Sequence, residues 1–248
     1  MSYAISPKLQ HAVVQAGAER QPILIIDNVL EDAEQLRAAA AAQPFSDVAS
    51  GYYPGVRASA PTAYLELVRD RLGAIIATAF GASGGVDVKE GNFSLVTTPP
   101  SQLQFLQRMP HFDFPNPRRL AILHYLCGPE CGGTAFFRHR RTGIEIVTPE
   151  RAQILMNAVR QEAIEFGAPP AKYHEGDTQS FECLATVEAR FNRIVVYRSA
   201  FLHSGVIPAD YSFTSDPLRG RLTVNLFADL AAGPPSALFG GALSFSAR

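Results

Sequence analysis

The chain predicts an α+β domain in which helices buttress a β-sandwich. Three observations carry this. A short apolar strand and two helical patterns occupy the first third. From residue 86 onward come short β-branched and aromatic runs separated by Gly and Pro clusters. At 248 residues and 47% hydrophobic the chain can bury one large core, and it does not need a second domain.

Pro22-Ile23-Leu24-Ile25-Ile26-Asp27 reads as a buried strand, with Asp27 or Asn28 placed to cap a helix over residues 31–43. A second helix is predicted over 62–80, where Leu65, Val68, Leu72, Ile75, Ile76 and Phe80 recur at helical spacing before Gly81. Strands are expected over 93–97, 120–126, 134–137, 193–197 and 222–227. One helical insertion interrupts them at 148–179: Thr148-Pro149 opens a helix to about Phe166, and Gly167-Ala168-Pro169-Pro170 stops it. It is either decoration or a lid. Residues 22–85 then form a helical buttress, 86–230 the core, and the Gly-, Pro- and Ser-rich 231–248 a surface tail.

A net charge of −1 argues against nucleic acid or an anionic membrane as the main partner. No apolar run approaches the roughly 20 residues of a spanning helix. Residues 1–10 have neither the apolar core of a signal peptide nor an Arg-rich amphipathic face, so a soluble cytoplasmic protein is expected. Three cysteines make an odd set that fits a reducing compartment, and Cys127 and Cys131 have no second pair with which to complete a zinc site.

The chemistry concentrates in His111-Phe112-Asp113 and in His203. Two imidazoles and one carboxylate are the ligand set of a non-haem Fe(II) facial triad, which leaves positions open on the metal. On an extended segment, residues two apart point to one side, so His111 and Asp113 can reach one ion. By the same period Arg221 and Thr223 share a face, where a guanidinium fork beside a hydroxyl makes a clamp for a carboxylate. Tyr125, at the end of an apolar run, adds a candidate phenolic hydrogen bond. Gly132-Gly133-Thr134 reads as a tight turn feeding a strand.

Weaker candidates have plainer readings. His124 faces away from Tyr125 on its strand and reads as structural. Arg138-His139-Arg140-Arg141 fits either an anion site or a solvated loop, and Arg118 and Arg119 either an acid-selecting patch or a wet rim. His174-Glu175 reads as surface loop.

Taken in order, His111-Phe112-Asp113, Ile122 to Leu126, Cys131-Gly132-Gly133-Thr134, Asn192 to Arg198, Phe201-Leu202-His203 and Arg221-Leu222-Thr223 resemble the 2-oxoglutarate- and Fe(II)-dependent dioxygenases, nearest the prolyl-4-hydroxylase-like branch. The opening Ile25-Ile26-Asp27-Asn28-Val29-Leu30 is similar to the strand-to-helix entry of that branch. The resemblance implies a mainly β, double-stranded β-helix, a jelly-roll or cupin-like barrel. It implies that His111, Asp113 and His203 bind Fe(II), that Arg221 pairs with the distal carboxylate of 2-oxoglutarate, and that Tyr125 and Thr223 assist. The activity implied is hydroxylation of an amino acid, peptide or small molecule by O2, with succinate and CO2 released. The insertion at 148–179 widens the Asp113–His203 spacing, and the long His203–Arg221 spacing makes Arg219 a rival anchor. A cupin-like dioxygenase without 2-oxoglutarate and a non-catalytic jelly-roll binding protein are the alternatives. A homodimer is compatible with all three.

Overall fold

The computed structural model describes residues 2–47 and 53–231. The predicted tail therefore lies, beyond Ala231, outside the described residues. Among the described residues eleven strands follow one another: β1 Gln10–Ala16, β2 Gln21–Asp27, β3 Ser46–Asp47, β4 Gly55–Ser59, β5 Val86–Val96, β6 Arg119–Tyr125, β7 Gly133–His139, β8 Phe181–Glu188, β9 Arg193–Arg198, β10 His203–Val206 and β11 Leu222–Leu230. They make an eight-stranded sheet in the order β1-β2-β9-β6-β11-β5-β4-β3 and a three-stranded sheet in the order β10-β7-β8, with antiparallel pairing throughout.

Side-chain alternation explains why the large sheet has two covered faces. Along β11, Leu222, Val224, Leu226 and Ala228 join a core with the N-terminal helices, whereas Thr223, Asn225 and Phe227 turn toward the small sheet. On β9, Ile194 and Val196 pack under the helices, and Val195 and Tyr197 pack against the small sheet with Phe136 and Phe201. A third cluster joins the small sheet to the insertion through Phe137, Leu155, Val159 and Phe181.

The helices lie close to their predicted places. Helix α1 spans Ala33–Ala41, but its N-cap is Asp32, whose carboxylate accepts from the Gln35 amide. Asp27 is instead paired with the Arg193 guanidinium at 2.6 and 2.9 Å, and Asn28 is held at a positive φ of 53°. The 62–80 pattern forms α2 Thr62–Leu67 and α3 Gly73–Ala79, joined by a π turn at Val68–Leu72. Helix α4 spans Pro149–Phe166 and stops at Gly167, which has a φ of 83°.

Two features of the N-terminal region differ from expectation. Strand β2 falls where it was predicted, but β3 and β4, which also extend the large sheet, were not predicted. Strand β1 was not predicted; six of its seven residues are exposed, so it carries no buried face to mark it. Among the described residues, no helix is long and apolar enough to cross a membrane.

Candidate metal centre

The chain closes the triad by pairing two distant segments. His111 and His203 form an antiparallel bridge, each amide donating to the other's carbonyl at 2.9 and 2.8 Å, which brings their rings to a centroid separation of 4.5 Å. The Asp113 amide donates to Ser199 O at 2.9 Å and fixes the segment's other end. Asp113 Oδ1 then lies 3.9 Å from His111 Nε2, and Oδ2 lies 3.5 Å from His203 Nε2. One ligand atom from each residue falls within 4.8 Å of the other two.

The protonation states suit a metal. His203 Nδ1 sits 2.7 Å from Phe201 O, and a carbonyl can only accept, so this nitrogen carries the proton and Nε2 keeps its lone pair. Burial lowers both His111 and His203 to about 4, with mutual repulsion adding at His111, so both rings are neutral near pH 7. The His111 side chain is 51% accessible and lines the cavity described below. Asp113 is raised, chiefly by burial. A half-buried carboxylate beside two neutral imidazoles has no close positive partner, and a divalent cation fits that deficit.

These three residues line a cavity of about 620 Å³ between the sheets. Arg221 enters its wall just before β11 and is 4% exposed. Its Nε donates to Cys131 O at 3.1 Å and its Nη2 to Gly133 O at 2.8 Å. The turn presenting those carbonyls requires Gly132, whose φ is 85° and where a Cβ would collide with Val206 O. Among the described residues no carboxylate pairs with Arg221, so a buried guanidinium stands ready for an anionic ligand. Arg219 is exposed and does not line the cavity.

Tyr125 and Thr223 are fully buried one layer behind this wall. The Tyr125 hydroxyl is 2.6 Å from Thr134 Oγ1, and its ring lies 5.6 Å from the Arg221 guanidinium carbon. The Thr223 hydroxyl donates to Asn225 Oδ1 at 2.7 Å. It is Thr134 and Asn225 that reach the cavity, each oriented by one of the sequence candidates.

Tyr53 and Arg57 also line the cavity, and sequence reasoning did not find them. The alternation of β4 is the only signal that marks Arg57, since Val56 and Ala58 belong to the opposite, helix-facing core. The insertion borders the site: Leu155, Met156 and Val159 of α4 and Tyr173, with Phe181 of β8, supply one wall. His174 does not lie in a surface loop. It is 5% exposed, packed edge-on against Phe137 and Phe181, because the polar segment tucks this ring beneath the insertion.

The basic run is internally neutralised. Arg138 pairs with Glu145 and Glu182, Arg140 with Asp177, and Arg141 with Glu162 and Glu165. Likewise Arg119 pairs with Asp229. His124 is structural, held between Tyr64 OH at 2.7 Å and Asn192 Oδ1 at 3.2 Å.

Fold and site together define a double-stranded β-helix with a two-histidine, one-carboxylate centre at the floor of its cavity. The chain belongs to the family described as "Family of unknown function (DUF6445)", whose model matches residues 7–228. No curated protein matches it. Among solved structures it is similar to SnoN, a non-heme alpha ketoglutarate dependent epimerase from nogalamycin biosynthesis, at 14% identity and a TM-score of 0.50, covering 93% of this chain and 89% of that one. It is also similar to HygX from Streptomyces hygroscopicus, solved with nickel, 2-oxoglutarate and hygromycin B bound, at 15% identity and a TM-score of 0.48, covering 85% and 84%. A third, an N-substituted L-amino acid dioxygenase from Burkholderia ambifaria, shares 11% identity at a TM-score of 0.44, covering 88% and 93%. The likeness to SnoN shows the jelly-roll fold that the sequence implied.

Proposed function

We propose that the protein is an Fe(II)- and 2-oxoglutarate-dependent oxygenase that hydroxylates a small molecule, amino acid or peptide, with O2 consumed and succinate and CO2 released. One observation carries the reading: the triad and the buried, acid-free Arg221 open into the same cavity. The use of 2-oxoglutarate by SnoN and its presence in HygX support it, and the order of motifs supports the prolyl-4-hydroxylase-like branch.

His111, Asp113 and His203 would hold the iron, with the His203 tautomer already set by Phe201 O. When bound, Fe(II) would let O2 act as the oxidant, with 2-oxoglutarate giving two electrons as it becomes succinate and CO2 and the substrate C–H bond giving the other two. Arg221 orients the co-substrate by taking its distal carboxylate, while its remaining donors stay on Cys131 O and Gly133 O. Thr134 and Asn225 offer further polar contacts from the wall, positioned by Tyr125 and Thr223. The apolar wall from α4 excludes water from the reacting end. Retention of an acid at Asp113 leaves no vacancy for halide, which favours oxygen insertion. The carboxylate anchor favours this reading over a cupin-like dioxygenase that needs none. Three free cysteines accord with a reducing, cytoplasmic setting.

The test is calorimetric titration of 2-oxoglutarate into the protein with and without Mn(II), followed by measurement of succinate from the Fe(II)-loaded protein in air. Metal-dependent binding and succinate release that His111→Ala removes are expected. Absence of both would refute the assignment.

A further inference from the structure

Arg57 is a second cationic group on the cavity wall, and nothing in the site so far uses it. Its register with Ser94, and of Ser94 with Thr223, puts it on the same sheet face as the Arg221 clamp, two strands away. Its Nε is buried without a hydrogen-bond partner, and among the described residues no carboxylate lies within ion-pair distance of it, although its charge is felt at Asp113. The Tyr53 ring lies 4.5 Å from the Arg57 guanidinium carbon, and the Tyr53 hydroxyl is buried beside Ser94. Burial pushes that phenol up to about 12, so it stays a neutral donor at physiological pH.

Charge balance makes the pair informative. Among the described residues, the formally charged side chains on the cavity wall are Asp113, Arg57 and Arg221. With a divalent cation on the triad and dianionic 2-oxoglutarate against Arg221, these charges cancel except for one positive charge, which Arg57 carries. An unpaired cation in a largely apolar cavity is costly, and a bound monoanion removes that cost. A phosphomonoester would overshoot, since it brings about two negative charges near pH 7.

We propose that Arg57 and Tyr53 form the carboxylate subsite for the primary substrate, which is a monocarboxylate whose apolar body packs on Met109, Leu155, Met156 and Val159. This rests on the oxygenase reading above. It predicts selection by charge at Arg57 and by size at α4.

The full-length protein, loaded with Mn(II) to prevent turnover, is titrated first with 2-oxoglutarate and then with three probes: 3-phenylpropionate, its neutral isostere 3-phenylpropanamide, and 2-phenylethylphosphonate. The carboxylate should bind at least tenfold more tightly than either other probe. Arg57→Met should erase that preference while changing 2-oxoglutarate affinity less than threefold, and Arg57→Lys should restore part of it. Thermal melts confirm that each variant is folded. Loss of tenfold or more in 2-oxoglutarate affinity in Arg57→Met would assign Arg57 to the co-substrate and overturn the proposal. A carboxylate preference that is absent, survives Arg57→Met, or yields to the phosphonate would overturn it too. If the wild type binds neither Mn(II) nor 2-oxoglutarate, the oxygenase reading fails first, a result separate from co-substrate binding without carboxylate preference.

Discussion

Replacing Arg221 by Met should weaken 2-oxoglutarate binding by between roughly thirtyfold and several thousandfold. Arg221 is 4% exposed, and its guanidinium has no acidic partner among the described residues. A carboxylate ligand that loses a buried, hydrogen-bonded charge partner forfeits about 2–5 kcal/mol, and each 1.4 kcal/mol is a factor of ten. The same substitution strips donors from Cys131 O and Gly133 O, so about 2–4 kcal/mol of folding stability should also go. Titration of 2-oxoglutarate into the Mn(II)-loaded variant reads the first effect, and a denaturant melt reads the second. Mn(II) affinity itself should change less than threefold, because Arg221 is not among the triad. Arg219→Ala serves as the control, since that side chain is exposed and away from the cavity. Retention of co-substrate affinity within threefold in Arg221→Met, or a larger loss in Arg219→Ala, would refute the reasoning.

Further outcomes follow from neighbouring geometry. His203→Ala should abolish stoichiometric Mn(II) binding in calorimetry while the protein stays folded. Burial holds His124 at about 4, below the usual 6.5, so the unfolded chain takes up the proton first and stability falls as pH drops from 6.5 toward 4. The loss from this residue is about 3 kcal/mol by pH 4, and urea melts of His124→Gln, which cannot titrate, should show a flatter profile over that range. Glu145 is fully buried and accepts from the Ala18 and Glu19 amides and from Arg138, so Glu145→Ala should cost about 2–4 kcal/mol in the same melts without altering Mn(II) affinity per folded molecule.

What the sequence disclosed depended on how local each signal was. His111 and Asp113 were legible because a two-residue spacing already fixes a shared side, and the apolar alternation of residues 222–227 placed Arg221 and Thr223 on one face. Arg221 was preferred to Arg219 because it adjoins the 222–227 run with Thr223 on its own face, and its burial on the turn at Gly132 is a non-local feature that the sequence does not report. Tyr53 and Arg57 stayed hidden because β4 acquires its cavity face only by pairing with β5. Asp27 looked like a helix cap until Arg193, 166 positions away, took its carboxylate. His174 sits in a segment of loop-like composition, and nothing local reveals that Phe137 and Phe181 enclose it. Tyr125 and Thr223 were named from strand position, but their places behind Thr134 and Asn225 depend on depth within the barrel, a dimension that strand periodicity does not report.

The central claim is that one cavity holds Fe(II) and 2-oxoglutarate together. Its most direct test is the weak visible metal-to-ligand charge-transfer absorption on adding 2-oxoglutarate to the anaerobic, Fe(II)-loaded protein. The account predicts a saturable band in the wild type that disappears in His111→Ala and needs much more co-substrate in Arg221→Met. A wild-type protein that binds Fe(II) but shows no band at saturating 2-oxoglutarate would contradict it.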